Sequence, residues 1–207
     1  MIILSKFFYQ KNLDKFMKKL LGIVVLGLLL IGSAYADDIS EFEIEGVSIG
    51  DSALIYTNKK ELDKNKKDWF KDKEFSISAD FELNFLKQYD RLQFVYFNND
   101  KNYILQGIEG IKFYRSNIKE CYSDFDFVVD EIKDLFQNLS IEKKTKATHA
   151  YDKSGKSVYT YQAFIFDNDD TIYLACEDWS EESGFTDSLR VSLRTKKYSK
   201  FLTYKAY

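Results

Sequence analysis

No proline occurs anywhere in the 207 residues. Without a pyrrolidine ring to lock φ, no segment is stiffened in that way against unfolding. Cysteine is used twice, at Cys121 and Cys176, and never with Cys-x-x-Cys spacing, which argues against a redox-active dithiol. Histidine occurs once, as His149, with no Cys or His partner at ligand spacing, so it reads as a solvated loop residue rather than a metal ligand. The chain has no internal repeat, no low-complexity linker and no Pro/Gly/Ser-rich boundary. A single domain is therefore expected.

The most directed feature is at the start. Met17-Lys18-Lys19 is a short basic stretch, Leu20–Ile31 is an apolar block without charge, and Gly32-Ser33-Ala34-Tyr35-Ala36 places small residues at both positions of an Ala-x-Ala cleavage site. This is the pattern of a secretory signal with cleavage before Asp37. Met17 then reads as the initiator and residues 1–16 as an over-extended gene start. The apolar stretch is shorter than the roughly 20 residues of a spanning helix, and no basic stop-transfer cluster follows it. A membrane-tethered scaffold that keeps residues 20–36 is the alternative. No cysteine adjoins the cleavage site, so a lipid anchor is not expected.

Removing residues 1–36 deletes five lysines and one aspartate. That leaves 25 basic against 32 acidic side chains over 171 residues, a net charge of −7. Such a domain is a poor ligand for polyanions, so nucleic acid is not an expected partner. A chain of this length buries roughly 70% of its unfolded surface without help. The 15 tyrosines and 18 phenylalanines invite a sugar- or peptide-binding reading. However, Lys outnumbers Arg 26 to 4, and this bias, with abundant Ile and Asn, follows AT-rich codons. Most of the aromatic excess is attributed to that.

Local patterns predict the elements. Asp51 or Ser52 can cap a short helix through Ala53–Tyr56, and Thr57 or Asn58 a second over Lys59–Lys67. Leu92–Phe97 and Tyr103–Tyr114 read as a hairpin, with Gly107 and Gly110 marking a bulge or a close backbone approach. Apolar residues at 118, 121, 125, 128, 129, 132, 135, 136 and 139 recur at i, i+3, i+4 and predict an amphipathic helix over 117–139. Asn117 and Glu120 form a variant capping box at its start. Val158–Phe166 and Thr171–Asp178 read as a second hairpin, Ser188–Arg194 alternates as a half-buried strand, and Lys143–Lys146 is a candidate polar strand. Tyr198–Tyr207 reads as a short helix packing Phe201 and Leu202. The expected fold class is α+β: an antiparallel sheet covered on one face by the long helix (about 117–139), with short N-terminal helices.

Cys121 falls on the apolar stripe of that helix, and Cys176 shares strand parity with Ile172 and Leu174. Both thiols face one interface in an exported chain, so a Cys121–Cys176 disulfide is expected. Gly46-Val47-Ser48-Ile49-Gly50 matches G-x-S-x-G, but no βαβ context surrounds Ser48, and the glycines are read as turn formers. Asp167–Asp170 reads as a hairpin turn. Glu177-Asp178-Trp179-Ser180-Glu181-Glu182 closes a strand and lacks EF-hand spacing. If a ligand exists, Asp178 and Trp179 mark where it is expected.

The signal, Glu45–Ser52, Cys121 on its helix and Cys176-Glu177-Asp178-Trp179-Ser180 together resemble a group of exported proteins from AT-rich bacterial genomes that implies no activity. A thinner likeness is to small outer-membrane assembly lipoproteins, which also run from paired helices into an antiparallel sheet, but which carry a lipid-bearing Cys absent here. The expected role is a periplasmic or secreted non-catalytic domain that binds an envelope protein or small ligand without cofactor. The alternative is a hydrolase using acidic residues or Ser48.

Overall fold

The computed structural model describes residues 38–115, 117–136 and 138–207. The signal segment, with Ala34, Ala36 and Asp37, lies outside them. Eight strands run side by side in the order β3-β4-β5-β6-β11-β10-β9-β7, and β8 also pairs with β9. These are β3 (Lys66–Lys67), β4 (Phe75–Phe81), β5 (Arg91–Phe97), β6 (Leu105–Phe113), β7 (Ser140–Ile141), β8 (Thr145–Thr148), β9 (Val158–Ile165), β10 (Thr171–Asp178) and β11 (Ser188–Arg194). Every pairing is antiparallel. A separate ribbon pairs β1 (Glu43–Ile44) with β2 (Val47–Ser48). Helices α1 (Lys59–Lys64), α2 (Ile118–Leu135) and α3 (Lys196–Tyr204) accompany the strands.

The expected α+β sandwich is corrected to a predominantly antiparallel β architecture with one long helix. The reason is width. Eight strands at about 4.8 Å span roughly 34 Å, whereas a helix is only about 10 Å across. Helix α2 accordingly packs mainly on β10 and β11, with Asp124 reaching Lys112 of β6. Its stripe of Cys121, Phe125, Val128, Val129 and Ile132 meets Ile172, Leu174, Cys176, Leu189, Val191 and Leu193, all buried in one core. The rest of that face is closed by the β1–β2 ribbon on β6 and by Ile39, Phe42, Ala53 and Leu62.

The N-terminal region is also not a pair of helices. Ser52 caps only a 3-10 turn, Ala53–Ile55, by accepting from Leu54 N–H. Asn58 caps the six-residue α1, and Lys66–Lys67 leave it to form β3. Helix α2 ends four residues early, because Phe136 turns extended (φ −121°, ψ 121°) to pack against Phe42 and Phe166. The capping box does not form as a backbone cap; Asn117 Nδ2 donates to Glu120 Oε1 instead.

Helix α3 lies on the opposite face. Tyr198 and Phe201 bury Phe70, Phe75, Ile77 and Val95 in a second, smaller core. Strand β5 is therefore buried on both sides, which is why its run Leu92–Tyr96 carries little alternation. Beyond α3, the second face of β11, β10 and β9 is left open.

Candidate functional site

Register decides what this open face carries. Alternate residues of each strand share a face, and the pairings align them in rows. One row runs Gln93, Glu109, Ser192, Tyr173, Ala163; the next runs Ile111, Arg190, Ala175, Tyr161, Thr145; a third runs Ser188, Glu177, Tyr159, Ala147. Polar and aromatic side chains thus stand on the same sheet whose other side is the disulfide-bearing core.

Arg190 is the centre of the polar part. Its Nη1 donates to Glu109 Oε1 at 2.5 Å, and its Nε lies 2.9 Å from Glu177 Oε2, off the N–H axis, as an ion pair rather than a hydrogen bond. Burial opposes its charge, but Glu109 and Glu177 outweigh that and hold the guanidinium more firmly protonated than usual. Gln93 Nε2 and Ser192 Oγ donate to Glu109, while Trp179 Nε1 and Ser188 Oγ donate to Glu177. Both carboxylates are therefore held by three donors or charges each.

Beside it runs a continuous series of π groups. Arg194 sits 4.1 Å over the Tyr173 ring. Tyr173 stacks on Tyr161 (5.7 Å between centroids), Tyr161 on Tyr159 (5.4 Å), and His149 meets Tyr159 edge-on at 5.6 Å. His149 contacts Trp179 at 3.9 Å, and Trp179 contacts Phe185 at 4.5 Å. Phe185 and Tyr151, at the rim, are exposed. Side chains from β9, β10, β11 and two loops form this series only because the sheet brings them together.

The loop bearing His149 is held by Asp152. Its carboxylate accepts from Ser154 N–H and Oγ, Ser157 N–H and Oγ, and Ser180 Oγ, which draws its pKa well below the usual carboxylate range. His149 Nδ1 accepts from Tyr151 N–H, leaving Nε2 facing Glu177 Oε1 at 3.8 Å. Burial lowers the imidazole pKa, with Arg190 adding to that and Glu177 opposing it. The expectation of a solvated loop residue is thereby corrected: the side chain is 14% exposed and meets three rings, edge-on or tilted.

The other sequence-marked residues separate. Trp179 belongs to the site. Asp178, its neighbour, turns to the core side and accepts from Tyr122 Oη of α2 at 3.1 Å. Cys121 and Cys176 are bonded, with Cα atoms 6.1 Å apart. Ser48 lies in the β1–β2 ribbon on the core face, opposite His149, so the two form no nucleophile–base pair. Its N–H donates to Asp51 Oδ2, which also accepts from Tyr56 Oη, and Gly46 and Gly50 take the positive φ values (80° and 92°) of the flanking turns. The Asp167–Asp170 segment is the β9–β10 turn, with Asp169 at φ 68°.

Among the described residues, no group of three or more His, Cys, Asp and Glu is arranged to hold a metal ion. None of their helices is long and apolar enough to cross a membrane. A cavity of about 220 Å³ beside β3 and β4 is lined by Lys66, Lys67 and Lys73. Asn98, Asp80 and Asp68 satisfy these lysines in turn. What the sequence could not show was which side each tyrosine takes. The alternation Tyr159-x-Tyr161 and Tyr173-x-Ala175-x-Glu177 was the available signal. Comparison with protein-family models, curated proteins and solved structures finds no match.

Proposed function

We propose that the mature domain is an exported, non-catalytic binding module of the cell envelope, and that its ligand occupies the open face of β9, β10 and β11. The observation that carries this reading is the π series from Arg194 to Phe185 running alongside the clamped Glu109–Arg190–Glu177 row. Preorganised aromatic and polar groups of this kind suit recognition, since little ordering is left to be done on binding. A Cys121–Cys176 bond agrees with an oxidising compartment.

Among the described residues of the face, the serine hydroxyls that meet a carboxylate meet Asp152, whose depressed pKa makes it a weak base. The Ser157 and Ser180 hydroxyls both donate to Asp152, and Ser157 is fully buried. The test is thermal unfolding of the mature domain in the presence of soluble envelope components. A ligand that binds only the folded state raises Tm by mass action. The expected result is a rise that Trp179→Ala and Tyr161→Ala abolish. A rise that both variants retain, or turnover lost in Ser48→Ala, overturns the reading.

A further inference from the structure

The chemistry of the face narrows the ligand class. Among the described residues, the phenolic oxygens of Tyr159, Tyr161, Tyr173, Tyr198 and Tyr207 have no hydrogen-bond partner in the protein, and none is sealed from solvent. Three of the rings stack on one another across β9 and β10. Tyr198 and Tyr207 approach from the α3 side, and both feel the charges of Arg194 and Glu109, as does Tyr173. The hydroxyls of Tyr159, Tyr161 and Tyr173 thus stand together on one strip of sheet over the buried Ala163 and Ala175. Each phenol both donates and accepts, so a ligand rich in oxygen-bearing groups can satisfy them and an apolar one cannot.

Charge disfavours an ionic ligand. Two carboxylates, Glu109 and Glu177, face two guanidiniums, Arg190 and Arg194, and His149 is biased to its neutral form. The two pairs cancel and Asp152 adds one negative charge, so a polyanion is repelled by the face as by the acidic domain. Both guanidiniums and both glutamates are already engaged with each other or with a ring. The ends of the π series offer ring area to aliphatic C–H surface, and Phe185 is 62% exposed.

We propose that this face binds a neutral oligosaccharide, whose hydroxyls pair with the tyrosine hydroxyls and whose C–H faces lie on the exposed rings. The proposal rests on the reading of the face as a ligand site. Chitotetraose, cellotetraose and maltotetraose are the probes, with oligogalacturonate and a lysine pentapeptide as charged controls, measured by calorimetric titration of the mature domain. Saturable binding to at least one neutral probe is expected, with Kd unchanged within about two-fold when salt is raised, since no net charge is matched.

The double variant Tyr161→Phe/Tyr173→Phe keeps both rings and removes only two hydroxyls. It should fold with an unchanged Tm and weaken binding by about ten-fold. Silence from all three neutral probes, or an unaltered Kd in the double variant, sinks the oligosaccharide assignment. Tighter binding of a charged control, abolished by Trp179→Ala, sinks it too but leaves the face as a ligand site. A neutral sugar whose binding Trp179→Ala and the double variant both spare removes the face itself.

Discussion

A β-carbon placed on Gly107 would lie 2.7 Å from both Cδ1 and Cε1 of Tyr198. The ring of the C-terminal helix occupies the space that a side chain on β6 would need. Gly110, on the other face of the same strand, is used alike: its β-carbon would meet Tyr89 Cδ1 at 2.8 Å and Ile44 Cγ2 at 2.9 Å. One strand is thereby approached closely from both sides, by α3 and by the N-terminal ribbon. Gly107→Ala is predicted to unseat α3 and cost about 1 to 3 kcal/mol. The midpoint of urea unfolding checks it, and a variant as stable as the parent contradicts the close seating.

The disulfide closes a loop of 55 residues between two fully buried sulfurs. By chain entropy such a link stabilises by about 4 kcal/mol. Paired Cys121→Ala and Cys176→Ala substitutions should lower stability by about that amount in chemical denaturation. Reductant should have no effect on the paired variant while destabilising the parent. Equal sensitivity of the two proteins to reductant would contradict this.

Arg190 holds two carboxylates that would otherwise repel across the sheet. Arg190→Leu leaves Glu109 and Glu177 without their counter-charge in a half-buried site, a loss of about 3 to 5 kcal/mol. Adding Glu109→Gln and Glu177→Gln to that variant should recover most of it, because neutral amides need no cation. Denaturant midpoints of the single and triple variants decide the matter.

His149 gives stability a pH dependence of known sign. Its folded-state pKa lies below the unfolded value of 6.5, so the unfolded chain binds the proton more readily between the two. The neutral imidazole's contribution is complete above 6.5 and is lost as pH falls through the folded-state value. Glu131 and Asp187, whose burial raises their pKa values, act in the opposite sense as pH drops. His149→Gln should therefore lose less stability than the parent between pH 7.5 and 5.5. Matching losses in both proteins would exclude the imidazole as the cause.

Elements with a period of their own could be read directly: both hairpins, the alternating Ser188–Arg194 strand and the stripe of α2. The stripe also located Cys121 against Cys176, since 3.6-residue and two-residue periods each assign a face. The first half of β4 could be read as well, from the alternation Phe75-Ser76-Ile77-Ser78, whereas its end at Phe81 could not, because the apolar residues that follow blur the period. The coverage of the sheet was misjudged for a different reason: helix length is visible in a sequence, but sheet width depends on long-range pairing. His149 appeared solvated among lysines, yet Tyr159 and Trp179, 10 and 30 positions away, enclose it. Asp178 and Trp179 were marked together, and strand parity sent them to opposite sides.

Strand β10 carries Cys176 on one side and Tyr173, Ala175 and Glu177 on the other. The tether and the groups proposed to meet a ligand are thus set on alternate residues of a single backbone. Oxidative maturation would then act as a licence: copies that never acquired the bond would present a blurred recognition surface even when folded.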